Sequence, residues 1–304
     1  MQPSIIDKIN TLKAQRNAII LAHYYVNDEI QDIADHIGDS FYLSKIATTA
    51  EADVIVFCGV SFMGESAKLL NPGKTVLMPD MSADCAMAHM CDVDKIKYLK
   101  EQYDDLAVVC YINSTAELKR YSDVCVTSAN ALKIVRELPN KNIFFIPDEN
   151  LGRYVAEKVP DKHFIFNDGF CPIHKNIRRE HILKSKQQHP EAIVLAHPEC
   201  TPDVLELADY IGSTSGIIHY VNDCSSDSFI IATETGVFHQ LKKENPDKKF
   251  YPACSDQICR DMKLVTLEKI ADALEHMHNQ VDLAPDILSE ANDPLNRMLA
   301  LAST

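Results

Sequence analysis

Short apolar runs alternate with amphipathic stretches along the whole chain: NAIILAHYY, DVIVFCG and TVLMPD, then LAVVCYIN, DVCVTSA, NIFFIPDE and HFIFND, then AIVLAHPE, YIGSTSGIIHY, FIIATETG and KKFYPA. Near-continuous β-branched runs suit strands covered on both faces, as in parallel sheets. The intervening periodicity predicts helices over residues 29–37, 129–138, 202–210 and 267–276, and the tail after Lys263 reads as helices packed outside. The fold class is therefore α/β.

Three of the strand ends superimpose. His23, Tyr111 and His197 each close an apolar run, 88 and then 86 residues apart. Hydroxyl residues Ser40, Ser128 and Thr214 follow with the same two separations. Gly59, Pro147 and Thr233 end the next runs, and TVLMPD, HFIFND and KKFYPA each lead within a few residues to Cys85, Cys171 and Cys259. The chain reads as three parallel-sheet α/β units, 1–90, 91–175 and 176–262, followed by C-terminal helices over 263–304. Ligands of open parallel sheets bind beyond the carboxyl ends of the strands. Three units around a pseudo-threefold axis would turn these groups toward one central active site.

Composition narrows the partners. A net charge of -14 without basic patches argues against nucleic acid. No apolar run approaches the ~20 residues of a membrane span. The polar start MQPSIIDKINTLKAQRN lacks the form of a signal peptide, so the expected location is the cytoplasm. There the ten cysteines should stay reduced, and one with a purpose binds metal or reacts.

Cys58, Cys110 and Cys125 lie inside strand patterns and read as core. Cys85, Cys171 and Cys259 lie in loops past strand ends, in PDMSADCAMA, NDGFCPIH and SDQICRDM. Three thiolates would suit a zinc ion with a fourth ligand such as His89 or His174, or a cubane iron-sulfur cluster with one iron left open as a Lewis acid. The spacing leaves both open. Cys91, Cys200, Cys224 and Cys254 are set aside, and the absence of C-x-x-C argues against a thioredoxin-type role.

Other motifs weaken on inspection. Gly59 to Ser66 imitates a P-loop, but Glu65 stands where the phosphate-binding lysine belongs. TSAN (127–130) and STSG (213–216) place hydroxyls where strands pass into helices, which suits a small-anion pocket or ordinary N-capping. AHPEC (196–200) crowds His197, Glu199 and Cys200 into a compact apparent metal site, but the repeat gives the third unit's metal cysteine as Cys259. Cys200 is expected to bind nothing.

AHYY, GDS, FCGVSFMGESAKLL, KTVLMPD, CYIN, TSAN, PDENLG, GFC, AHPEC, GSTSGI, ATETG and C-x-x-M (Cys259 to Met262) together resemble the quinolinate synthase family over nearly the whole chain. The resemblance implies one 4Fe-4S cluster per chain, held by Cys85, Cys171 and Cys259. It implies condensation of iminosuccinate with dihydroxyacetone phosphate to quinolinate, releasing phosphate and two waters, in de novo NAD synthesis. The enzyme would be a transferase, with L-aspartate oxidase or aspartate dehydrogenase as a transient supplier of iminosuccinate. Carried onto matching positions, His23, Ser40, Tyr111, Asn113, Ser128, His197, Glu199 and Thr214 look like the substrate-binding set, with Tyr25, Glu199 and His197 as acids and bases. Some members carry a C-x-x-C before the last cysteine, whereas here only Cys254 lies near. Another cluster-dependent hydro-lyase acting on a small hydroxy acid, and a non-catalytic zinc-stabilised anion-binding scaffold, are the competing readings.

Overall fold

The computed structural model describes residues 4–303 and contains three four-stranded sheets. The first comprises β1 (Ala18–His23), β2 (His36–Gly38), β3 (Val54–Cys58) and β4 (Thr75–Leu77), in spatial order β2-β1-β3-β4. The second comprises β5 (Leu106–Tyr111), β6 (Val124–Val126), β7 (Asn142–Ile146) and β8 (His163–Phe166), in order β6-β5-β7-β8. The third comprises β9 (Ile193–Ala196), β10 (Tyr210–Ile211), β11 (Ser228–Ala232) and β12 (Lys249–Pro252), in order β10-β9-β11-β12. One topology is thus used three times, with parallel pairing, so that Ile20 faces Val56, Val108 faces Phe144 and Val194 faces Ile230.

By contacts the chain forms two compact units. One gathers the residues up to His89, Ile112–Cys125 and those from Arg260 onward; the other gathers Met90–Tyr111 and Val126–Cys259.

Burial explains the strand choice. All five residues of β3 are buried, as are the last five of β5 and the last four of β7, which is why these runs are continuously apolar rather than alternating. The helix Leu267–His276 does the same work with a different period. Leu267, Ile270, Ala271 and Leu274 form one buried stripe, packed against the helix Ile5–Gln15 of the same unit. Thr266 accepts the Lys269 N–H at its start, and Met277 ends it with φ 54°.

Three expected elements differ. The helix foreseen over 29–37 runs only from Asp28 to Ile33, and His36–Gly38 instead forms the edge strand β2. The helix foreseen over 202–210 stops at Leu205 and yields to the two-residue strand β10. YIGSTSGIIHY is not one strand: after β10, Ser213 accepts the Gly216 N–H at 3.1 Å and opens the helix Thr214–Asp223. Ile217, Ile218 and Val221 then fall on one buried helical face, a spacing that an apolar run of two isoleucines conceals.

Glu65, the residue that spoils the P-loop likeness, has a structural task. Its carboxylate accepts the Ala116 N–H at 2.7 Å, at the start of the helix Ala116–Arg120, where negative charge meets the helix dipole favourably. No described helix is long and apolar enough to cross a membrane.

Candidate functional site

The singled-out residues follow strand carboxyl ends, and the threefold pattern extends to their hydrogen bonds. His23 and Tyr111 end β1 and β5, and His197 follows β9 by one residue. Two residues further on stand Tyr25, Asn113 and Glu199. The hydroxyls come after the edge strands β2, β6 and β10, and in the first and third copies capping falls to the residue before the hydroxyl. Asp39 accepts the Tyr42 N–H at 3.0 Å and Ser213 accepts the Gly216 N–H, whereas Thr127 accepts the Ala129 N–H at 3.3 Å in a turn ahead of the helix Ala131–Glu137, whose N-cap Asn130 makes no side-chain cap bond. Ser40, Ser128 and Thr214 are therefore not the capping groups.

A second triplet joins the third strand's exit to the cysteine loop. Ser61 donates its backbone N–H to the Ala83 carbonyl at 2.8 Å, Glu149 to Gly169 at 2.8 Å, and Thr235 to Gln257 at 3.0 Å. Each acceptor lies two residues before Cys85, Cys171 or Cys259. The second of these clasps explains the glycine of GFC. A Cβ on Gly169 would lie 2.5 Å from the Pro147 carbonyl and 2.9 Å from the Met90 Cβ, so only glycine permits the approach.

In the unit holding Met90–Tyr111 and Val126–Cys259, a buried polar network forms around Glu199. Its Oε2 lies 2.9 Å from His174 Nδ1 and 3.1 Å from His197 Nδ1, with the carboxylate only 4% exposed. The far ring nitrogens are occupied as well: His174 Nε2 is 2.9 Å from the Thr233 hydroxyl and His197 Nε2 is 3.2 Å from the Ser128 hydroxyl. The rings stack with centroids 4.6 Å apart. An ionised carboxylate between two Nδ1 atoms assigns a proton to each, leaving each Nε2 to accept from a hydroxyl. The Glu199 amide also lies 3.4 Å from His197 Nδ1, but that contact is long and the carboxylate decides the tautomer. Burial works against the Glu199 charge, yet His174 and His197 hold its carboxyl well below the ordinary range. Asp148 goes the opposite way: burial first, then the Glu199 charge, push it well above the ordinary range against the backbone N–H groups it accepts. Tyr111 and Thr214 of this unit are also buried.

Glu199 Oε1 has no protein hydrogen-bond partner although it is buried, and Asn113 Oδ1 is in the same condition. The two residues occupy the same repeat position. A buried acceptor without a partner asks for an explanation, and these two stand at one repeat position.

In the other unit, His23 accepts the Tyr25 N–H on Nδ1 at 3.2 Å and meets the Tyr25 ring edge-on, centroids 4.5 Å apart. Nε2 is then the protonated nitrogen of the neutral ring. Lys263 Nζ donates to the Tyr25 carbonyl at 2.6 Å, and Asn27 Nδ2 donates to the Lys263 and Val265 carbonyls, so the turn after β1 is fastened to the segment before the helix Leu267–His276. Ser40 begins the helix Ser40–Thr49.

All ten cysteines are free thiols. Cys58, Cys110, Cys125 and Cys200 are fully buried; the Cys200 thiol donates to the Ala232 carbonyl at 3.4 Å, and burial followed by the Glu199 charge raises it. Cys85, Cys171 and Cys259 are partly exposed, but so are Cys91, Cys224 and Cys254. Cys91 is pushed up to about 12, chiefly by burial, and burial also raises Cys254. What sets Cys85, Cys171 and Cys259 apart is the clasp. His89 turns its Nε2 to Asp84 at 2.8 Å, whereas His174 Nδ1 is 3.2 Å from Cys171 Sγ. Cys171, His174 and Glu199 offer donor atoms all within 4.8 Å of one another, and are the one such group among the described residues. Each of these cysteines offers the soft sulfur donor that an iron-sulfur centre takes.

Sequence reasoning missed Asp148, Glu234 and the His174–Thr233 pair. Asp148 and Glu234 each stand one residue past a repeat position already marked, Pro147 and Thr233, and were visible there. The pairing of His174 with Thr233, 59 residues apart, had no sequence signal.

Fold and site define a repetitive α/β protein whose chemistry-bearing groups all follow the carboxyl ends of parallel strands. A family model described as quinolinate synthetase A protein matches residues 7–300, and the chain belongs to that family. Curated relatives named quinolinate synthase include those of Clostridioides difficile, 51% identical over 302 residues covering 99% of both chains, and Sulfurihydrogenibium sp., 50% identical over 303 residues covering 98% of both. A third, from Fusobacterium nucleatum, is 51% identical over 296 residues, covering 97% of this chain and 99% of its own. These relatives are enzymes by name.

Proposed function

We propose that this chain is a transferase that condenses iminosuccinate with dihydroxyacetone phosphate to quinolinate, releasing phosphate and two waters, with Cys85, Cys171 and Cys259 holding a 4Fe-4S cluster. The observation that carries the reading is the pair of partnerless buried acceptors, Glu199 Oε1 and Asn113 Oδ1, at one repeat position. Family membership and the names of the relatives support the substrates. On the same reading the chain is three α/β copies, 1–90, 91–175 and 176–262, with helices over 263–304.

When bound, such a cluster supplies one open iron as a Lewis acid for a substrate oxygen or nitrogen. The side chains account for the rest. Ser40 and Thr214 open helices of ten residues, where exposed N–H groups and the helix dipole hold carboxylate or phosphate; Ser128 contributes its hydroxyl, 3.2 Å from His197 Nε2. Tyr111 and Asn113 shape the pocket and donate to polar substrate atoms. His23, with a proton on Nε2, donates to a substrate carboxylate. Glu199, ionised between two imidazoles, removes protons during carbon-carbon bond formation and dehydration, and His197 relays between it and the substrate. The Tyr25 phenol returns a proton to a departing oxygen.

Anaerobic purification tests the reading. A brown protein with about four irons per chain that forms quinolinate from the two substrates is expected. A colourless, iron-free chain, or an iron-loaded chain that makes no quinolinate, overturns it. A single metal ion at Cys171, His174 and Glu199 is the second reading, favoured by their donor spacing. It predicts one zinc per chain, retained in Cys85→Ser and Cys259→Ser.

A further inference from the structure

Each candidate metal cysteine donates its backbone N–H to a carboxylate. Cys85 donates to Asp84 Oδ1 at 2.7 Å, Cys171 to Asp148 Oδ2 at 3.1 Å and Cys259 to Glu234 Oε1 at 3.1 Å. Every one of these carboxylates makes a further contact at the start of the helix that follows the third strand of its sheet. Asp84 accepts the Ser61 hydroxyl, Asp148 accepts the Leu151 N–H at 2.7 Å, and Glu234 accepts the Gly236 N–H at 2.6 Å. With the backbone clasp described above, each cysteine loop is tied to a helix start at two points.

Ordinary helix capping explains only part of this. A capping carboxylate satisfies one or two helix N–H groups and leaves its other oxygen to water. Asp148 and Glu234 are 0% and 1% exposed, and the second oxygen is given to the cysteine amide. Both stand at one repeat position. The first copy has Val60 there, whose side chain has no acceptor, and Asp84 makes the same bond from within the cysteine loop. One contact reached by two routes implicates the contact rather than inherited local sequence.

We propose that Asp148, Glu234 and, in the first copy, Asp84 are positioning residues that fix the peptide plane preceding each cysteine, and so the direction of its Cα–Cβ bond toward the shared metal group. The inference rests on the proposed assignment of the three cysteines as ligands. Outer-sphere partners of this kind set ligand orientation and commonly change metal retention by about 10–100-fold.

The test measures chelator-driven iron loss from the anaerobically reconstituted full chain, beside its thermal unfolding midpoint. Glu234→Ala should release iron about 10–100-fold faster than the parent. Glu234→Asp, which borrows the side chain of the second copy, should recover most of that retention. Thr266→Ala, which removes a cap from the helix Leu267–His276, should lower the midpoint while releasing iron at the parent rate. Equal release from parent and Glu234→Ala overturns the proposal, as does equal acceleration in Thr266→Ala. A parent that takes up no iron removes the ligand assignment and this inference with it; a parent that holds iron as Glu234→Ala does removes the positioning role alone. Where Glu234→Ala does not fold, Glu234→Gln, which keeps a single acceptor oxygen, is read the same way.

Discussion

At the end of β1, His23 receives the Tyr25 amide on Nδ1 and packs against the edge of the Tyr25 ring, whereas after β9 His197 gives its Nδ1 proton to the buried carboxylate of Glu199. The backbone plan is the same: a histidine at a strand end and the working side chain two residues on. Swapping a phenol for a carboxylate changes everything around it. The Tyr25 ring packs edge-on against His23, and the Tyr25 carbonyl accepts from Lys263. Glu199, as a buried charge, needs His174 in addition to His197, and the rings in turn need Thr233 and Ser128. A repeat can hold its geometry constant while the chemistry of each side chain decides which neighbours are recruited.

The sharpest way to break this comparison is activity. Glu199→Gln keeps the shape and removes the base, so quinolinate formation should fall by about 10²–10⁴-fold in kcat. Tyr25→Phe, which keeps the ring packing, should fall less; a larger loss there would reverse the order of importance of the two strand ends. Stability comes next. His174→Ala leaves the Glu199 charge short of a donor and should cost about 1.5–3 kcal/mol in denaturant unfolding, whereas His23→Ala, which removes a neutral acceptor of the Tyr25 amide, should lose about 1 kcal/mol from that bond. Equal costs would mean that Glu199 is not charged.

A smaller effect separates capping from binding in the third copy. Ser213→Ala should lower stability by about 1 kcal/mol with KM nearly unchanged, and Thr214→Val should raise KM with stability nearly unchanged. The smallest effect concerns the neighbour that sequence makes most suspicious. Cys200→Ser should leave iron content at the parent value, while Cys171→Ser loses it; iron loss in Cys200→Ser would return AHPEC to the metal site.

Much of this was legible because the three copies differ in side chains but keep their spacing. His23, Tyr111 and His197 could be aligned, and from them the hydroxyls and the cysteines. β2 was missed because His36–Gly38 has a single apolar residue and is a short edge strand that needs no buried run. The helix Thr214–Asp223 was misread because its buried Ile217 and Ile218 are adjacent in sequence, and two neighbouring β-branched residues read as a strand until the Ser213 cap is known. The carboxylate under Cys85 was hidden for another reason: the first copy moved it from the helix side to the loop, so no repeat position marks Asp84. The His174–Thr233 contact is purely tertiary, and no local pattern encodes it.

The separation of Asp39 and Ser213 from the hydroxyls that follow them bears on how such a protein can change. Most folded chains lie only slightly above the stability they need, so a residue that both holds a helix together and recognises a ligand cannot be altered freely. On the binding roles proposed for Ser40 and Thr214, those duties fall on adjacent residues in the first and third copies. On that reading, position 40 or 214 can vary, and ligand preference with it, while the helix beneath stays formed.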